Sequence, residues 1–132
     1  MERQILALFR RLQDRLKAAF LFITHDMSVA AALCDRIAVM YAGEIVETGP
    51  TRQLFDAPRH PYTQGLIATS IALKGRAKRL KEIAGELPSL VSPPTGCLFS
   101  PRCPQVMERC RAVPPPVFGT AHQARCYLAE SP

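Results

Sequence analysis

The sequence predicts an α/β fold: helices on a sheet with parallel character, followed by a small cysteine-rich C-terminal extension. Three observations point there. A helical pattern over residues 3–17 runs directly into the continuous apolar stretch AAFLFIT. A hairpin pattern, RIAVMYAGEIVETG, follows it. Four of the five cysteines then fall within residues 96–132.

Ile5, Leu6, Leu8, Phe9, Leu12 and Leu16 recur at steps of three and four with arginines opposite, which predicts an amphipathic helix. AAFLFIT has the unbroken apolar character of a strand buried on both faces. A helix leading into such a strand suggests a crossover unit of a parallel sheet. MSVAAALC, residues 27–34, reads as the next helix, with Asp26 or Ser28 as its cap. Two β-rich runs flank a turn at Ala42-Gly43. PTRQLFDAP reads as a short helix capped by Thr51 and stopped by Pro58, and Pro61 opens another, PYTQGLIATSIAL. Phe9, Phe20, Phe22 and Tyr41 are expected in the core, and Cys34 as a packed thiol.

From Lys74 the texture changes. KGRAKRLK is basic and ELPSLVSPPTG is rich in turn formers, so a linker is expected at 74–95, between a first unit at 1–73 and a tail at 96–132. The tail holds six of the twelve prolines and few apolar residues. A segment so small needs a staple such as a metal. The net charge of +6 is uneven: residues 1–73 carry 8 basic and 7 acidic side chains, residues 74–132 carry 9 and 4. A basic patch of that kind suits nucleic acid or anionic lipid, or is simply a solvated face. Apolar content of 48% with 21% charged residues excludes a disordered chain. No apolar run reaches the roughly 18 residues of a membrane span, and the N-terminus is not a secretory signal. A cytoplasmic setting is the default, and there clustered cysteines point to metal or catalysis rather than disulfides.

Two constellations carry chemistry. FLFITHD places His25 and Asp26 at the carboxyl end of a predicted strand, where open α/β sheets position ligand-contacting groups. His25 could donate to a phosphate oxygen there, or merely top the strand. In GCLFSPRCPQVMERC and beyond, Cys97, Cys103, Cys110 and Cys126 are separated by 5, 6 and 15 residues. Four thiolates can hold one iron–sulfur cluster or one tetrahedral zinc. Zinc sites usually open with a pair two to four residues apart, so a closest gap of five leans toward iron–sulfur. Arg102, Arg109, Arg111 and Arg125 each adjoin a cysteine, and a nearby cation favours the thiolate. His122 could replace a cysteine at zinc or be structural.

LFITHDMSVAAALCDRIAVMYAGEIVETG, PTRQLFDAPRHPYTQGL and the cysteine tail together resemble the ATP-binding subunits of dipeptide and oligopeptide ABC importers, over nearly the whole chain. The resemblance implies a partial P-loop-NTPase-like ABC ATPase sheet. It implies that His25 is the switch histidine contacting the γ-phosphate of ATP, that ATP and Mg²⁺ bind the complete subunit, and that the four cysteines hold a [4Fe–4S] cluster. HPYT, residues 60–63, matches a family motif. Implied partners are a second ABC ATPase subunit and transmembrane permease subunits at the cytoplasmic face of the cell membrane, with no direct solute contact and no role for nucleic acid. No G-x-x-x-x-G-K-[ST] loop occurs in the sequence, nor do the family's glutamine loop, signature or Mg²⁺-site strand. The resemblance therefore implies a C-terminal portion of such a subunit: a gene fragment, a mis-called start or a truncation. A reading from another class is a stand-alone Cys₄ module whose basic linker binds nucleic acid. A P-loop encoded in frame upstream of Met1 distinguishes the two.

Overall fold

The computed structural model describes residues 2–71 and 83–130. The basic stretch KGRAKRLK lies outside the described residues. Helix α1 spans Glu2–Leu16. It ends where Lys17 takes a left-handed φ of 51° while its N–H still bonds to Gln13 O. It meets α2, Met27–Leu33, through Arg10, whose guanidinium donates to Ala32 O. Leu8, Leu12 and Leu16 of its apolar stripe stay exposed.

The apolar run after α1 corrects the sequence expectation. Residues 18–24 form no strand, and Leu21 and Ile23 are 91% and 93% exposed. Phe20 is exposed as well; Phe22 is half-buried, edge-to-face with Phe9 at 5.0 Å. A strand exists only through hydrogen bonds to a neighbour, and among the described residues nothing pairs with this run.

The sheet is antiparallel throughout, in place of the expected parallel arrangement. Strand β1, Arg36–Tyr41, and β2, Glu44–Pro50, form the anticipated hairpin in the register Arg36↔Pro50 to Tyr41↔Glu44. Ala42 and Gly43 both have positive φ, 48° and 86°, the handedness that suits a two-residue hairpin turn. Strand β3, Gln123–Ala124, comes from the tail and pairs with β2, giving the order β1-β2-β3. β1 alternates, with Ile37, Val39 and Tyr41 inward. β2 instead buries Val46 and Glu47 in succession, because the register shifts between Val39 and Met40 and Val46 enters as an extra residue.

Asp26 caps α2: its Oδ1 accepts from Ser28 N–H at 2.7 Å and Val29 N–H at 3.3 Å. Helix α3 spans Thr51–Asp56. Its N-cap is Pro50 rather than Thr51. Thr51 Oγ1 donates instead to Cys34 O, pinning the helix start to the entry of β1. Helix α4, Pro61–Ile71, opens at Pro61 as its sequence suggests. One core joins Met27, Ala30, Ile37, Val39, Tyr41, Val46, Leu54, Ile67 and Phe99. Phe99 belongs to the tail, so the tail gains order from a shared core despite its few apolar residues. Among the described residues no helix is long and apolar enough to cross a membrane.

Candidate functional site

The tail is a series of tight turns that turns its cysteines inward. Cys97 N–H bonds to Cys110 O at 2.7 Å, and Ser100, Arg102 and Val106 close turns onto Cys97, Phe99 and Cys103. Gly96 permits the first contact: a Cβ there would lie 2.2 Å from Cys110 O. Cys110 sits in helix α5, Glu108–Ala112, and Cys126 precedes a 3₁₀ turn at Tyr127–Ala129. The four thiols, separate in sequence, line one cavity with His60, Phe99, Met107, Pro115 and Tyr127 among its walls. All five cysteines are free. Cys34 caps the end of α2, away from that cavity.

Burial raises the thiol pKa of Cys97 and Cys103 and pushes Cys126 up to about 11. Backbone hydrogen bonds oppose it: Phe99 and Ser100 serve Cys97, Gln105 serves Cys103 and Leu128 serves Cys126. The neighbouring thiols raise the values further, since each added negative charge repels the next.

The arginines do not act as their sequence positions suggest. None is among the causes shifting these three thiols. Arg102 turns away to donate to Ile83 O at 2.7 Å and Ala84 O at 3.0 Å, and lies over the Tyr41 ring. Arg109 pairs with Glu130 at 2.8 Å and covers Tyr127. For Arg102 and Arg109 adjacency in sequence does not become contact with the thiols, and it is backbone hydrogen bonds that lower the thiol values.

Among the described residues no three His, Cys, Asp or Glu side chains gather closely enough to hold a single metal ion. A zinc with bonds of about 2.3 Å would draw its sulfurs to roughly 3.8 Å of each other. His122 is not on the cavity wall. Its Nε2 lies 2.7 Å from Glu47 Oε1, so it is structural.

Glu47 is a site residue that sequence reasoning missed. It is 1% exposed, yet its carboxylate accepts from Arg59 N–H at 2.8 Å, His60 N–H at 2.9 Å and the His122 ring at 2.7 Å. A carboxylate only accepts, so His122 Nε2 carries the hydrogen. Arg59 Nη1 closes the loop by donating to His122 O at 3.2 Å. One side chain of β2 thus holds the start of α4 and the tail together. In the sequence, Glu47 is one of two ordinary strand glutamates, and no spacing marks it.

His60 is buried and receives a hydrogen bond at Nδ1 from Tyr62 N–H, 3.1 Å. Burial lowers its pKa to about 4, although the Glu47 charge pulls the other way. In the unfolded chain a histidine titrates near 6.5. The unfolded state therefore binds the extra proton first. The contribution is intact above about pH 6.5 and is lost as pH falls toward 4. Its size is on the order of 3 kcal/mol by pH 4. Thermal unfolding of the metal-free chain at pH 7 and 4.5 should show this acid loss, and His60→Gln should remove that component. An equal acid loss in the variant would refute it.

His25 is exposed, in the bend between residues 18–24 and α2, and shares no wall with the cysteine cavity. The structure gathers the four cysteines and leaves His25 apart from them.

The fold and site together are a small antiparallel α/β unit with a cysteine-walled tail folded onto its hairpin. Residues 46–110 match the family described as the oligopeptide/dipeptide transporter C-terminal region. A putative peptide import ATP-binding protein of Brucella abortus (strain 2308) is 49% identical over 130 residues, covering 97% of this chain and 38% of the relative. The dipeptide transport ATP-binding protein DppD of Caldanaerobacter subterraneus subsp. tengcongensis is 44% identical over 129 residues, covering 96% and 39%. A putative peptide import ATP-binding protein of Brucella ovis is 41% identical over 131 residues, covering 93% and 39%. The chain spans less than two fifths of the length of these relatives.

Proposed function

We propose that this chain forms the C-terminal part of an ATP-binding subunit of a bacterial ABC importer for peptides. The observation that carries this reading is identity of 41–49% to peptide and dipeptide import ATP-binding proteins along nearly the whole chain. In that subunit ATP and Mg²⁺ bind, a second ATPase subunit pairs with it, and hydrolysis drives permease subunits at the cytoplasmic face of the membrane. Residues 1–73 complete the nucleotide-binding domain, with His25 at the γ-phosphate. Residues 74–95 link it to the tail, 96–132.

We read the tail's four thiols as holders of a [4Fe–4S] cluster rather than of one zinc. They wall a cavity instead of meeting at a point, they are sheltered, and three receive backbone hydrogen bonds. Hydrogen bonds to sulfur and burial are the levers by which proteins tune such clusters. Cys97, Cys103, Cys110 and Cys126 would hold the group, which supplies a cross-link and a site for one electron.

The test uses the full-length subunit co-expressed with its permease in vesicles. ATP-dependent uptake of a labelled dipeptide or oligopeptide is expected. The 132-residue chain alone should show no turnover above a His25→Ala control, because phosphoryl transfer needs a phosphate loop and a metal. Turnover by the chain alone, or ATP-driven uptake of a non-peptide solute only, contradicts the reading.

A further inference from the structure

The residue on the cavity wall that the cysteines do not explain is His60. It is 1% exposed. Its Nδ1 accepts from Tyr62 N–H, which leaves the ring hydrogen of the neutral imidazole on Nε2. Nε2 makes no hydrogen bond to any described residue. Its place on the wall shared with the four thiols leaves that hydrogen to an acceptor inside the cavity. The ring is held in place. Glu47 grips the His60 backbone N–H at 2.9 Å and Phe99 packs on the ring at 5.6 Å between centroids.

We propose that His60 donates its Nε2–H to a sulfur of the group held by Cys97, Cys103, Cys110 and Cys126, and so sets how readily that group is reduced. The inference rests on the iron–sulfur reading above. An oxidised [4Fe–4S] cluster with four thiolates carries a net charge of −2. One electron from an external donor brings it to −3, with no bond broken and the hydrogen remaining on Nε2. A donor aimed at sulfur stabilises the more negative state. His60 is thus a positioning and tuning residue rather than a ligand.

The test is a dye-mediated redox titration of the full chain, prepared anaerobically, with dithionite as the electron donor and the reduced cluster read by electron paramagnetic resonance. His60→Phe keeps the ring's shape and removes the donor. It should retain iron and acid-labile sulfide while the reduction equilibrium falls about tenfold, which is about 59 mV for one electron. His60→Gln, whose amide nitrogen reaches the position of Nε2, should recover much of the shift. A Phe variant with the wild-type midpoint overturns the inference. Should that variant fail to assemble, pulsed resonance on wild-type chain labelled with ¹⁵N-histidine decides. A histidine nitrogen coupling that vanishes in His60→Gln is expected, and no coupling in the wild type overturns the proposal. Wild-type protein lacking iron or sulfide would instead sink the cluster reading itself, and this inference with it.

Discussion

His25→Ala in the full-length subunit should lower ATP hydrolysis by about 10²–10³-fold while leaving ATP binding close to wild type. The expectation follows from where a single donor does its work. The γ-phosphate oxygens are charged already in bound ATP, but that charge redistributes in the transition state, and one donor matched to the new distribution is worth on the order of 10²–10³ in rate. Binding energy, by contrast, comes mostly from the phosphate loop and the metal. In this chain His25 is exposed and unencumbered, while its neighbour Asp26 is committed to capping α2. The cap holds the backbone beside His25 and leaves its ring available to a ligand. Steady-state hydrolysis and equilibrium nucleotide binding, measured on the same preparation, separate the two effects. Hydrolysis within about threefold of wild type would return His25 to a residue that merely ends a segment.

The second large effect falls on Glu47. Glu47→Ala removes both carboxylate oxygens and strands three donors, the part-buried Arg59 N–H and the buried His60 N–H and His122 ring. Each unsatisfied group costs about 1–3 kcal/mol, with partial relief where water enters. The expected loss is about 3–5 kcal/mol, as for breaking other buried charged contacts. A small domain's total stability is about 5–15 kcal/mol, so much of the chain's margin goes. Urea unfolding should register the loss. Limited proteolysis should show cleavage concentrated after residue 95, since the Glu47 side chain ties His122 to β2 beside the β2–β3 pairing. Glu47→Gln keeps one acceptor oxygen and brings one N–H against another, so it should fall between. A loss below about 1 kcal/mol in Glu47→Ala would mean the tail is held by Phe99 and β3 alone.

What could be read from the sequence divides by the range of the signal. The cap at Asp26, the turn at Ala42-Gly43 and the helix opened by Pro61 are decided within four residues, and each appears where its local pattern puts it. AAFLFIT was misleading because its apolar run describes what a strand would bury, not whether a partner is present to pair with it. Strand β3 was invisible for the opposite reason. Gln123–Ala124 is two residues long and exists only because β2 lies beside it. The cysteine spacing singled out four thiols that line one cavity, yet Arg102 and Arg109 beside them reach other partners. Glu47, His60 and His122 are separated by 13 and 75 residues from one end of the cluster. Nothing in a linear pattern joins them.

The central claim is that Cys97, Cys103, Cys110 and Cys126 hold a [4Fe–4S] cluster, and metal analysis of anaerobically purified, iron-replete protein tests it most directly. Brown protein with iron and acid-labile sulfide near four each per chain is the expected result. Serine at any of the four positions should lose or weaken the cluster, whereas Cys34→Ser should leave it intact, because Cys34 lies outside the cavity. One zinc per chain with no labile sulfide, or a cluster that needs Cys34 and survives without Cys126, would contradict the account.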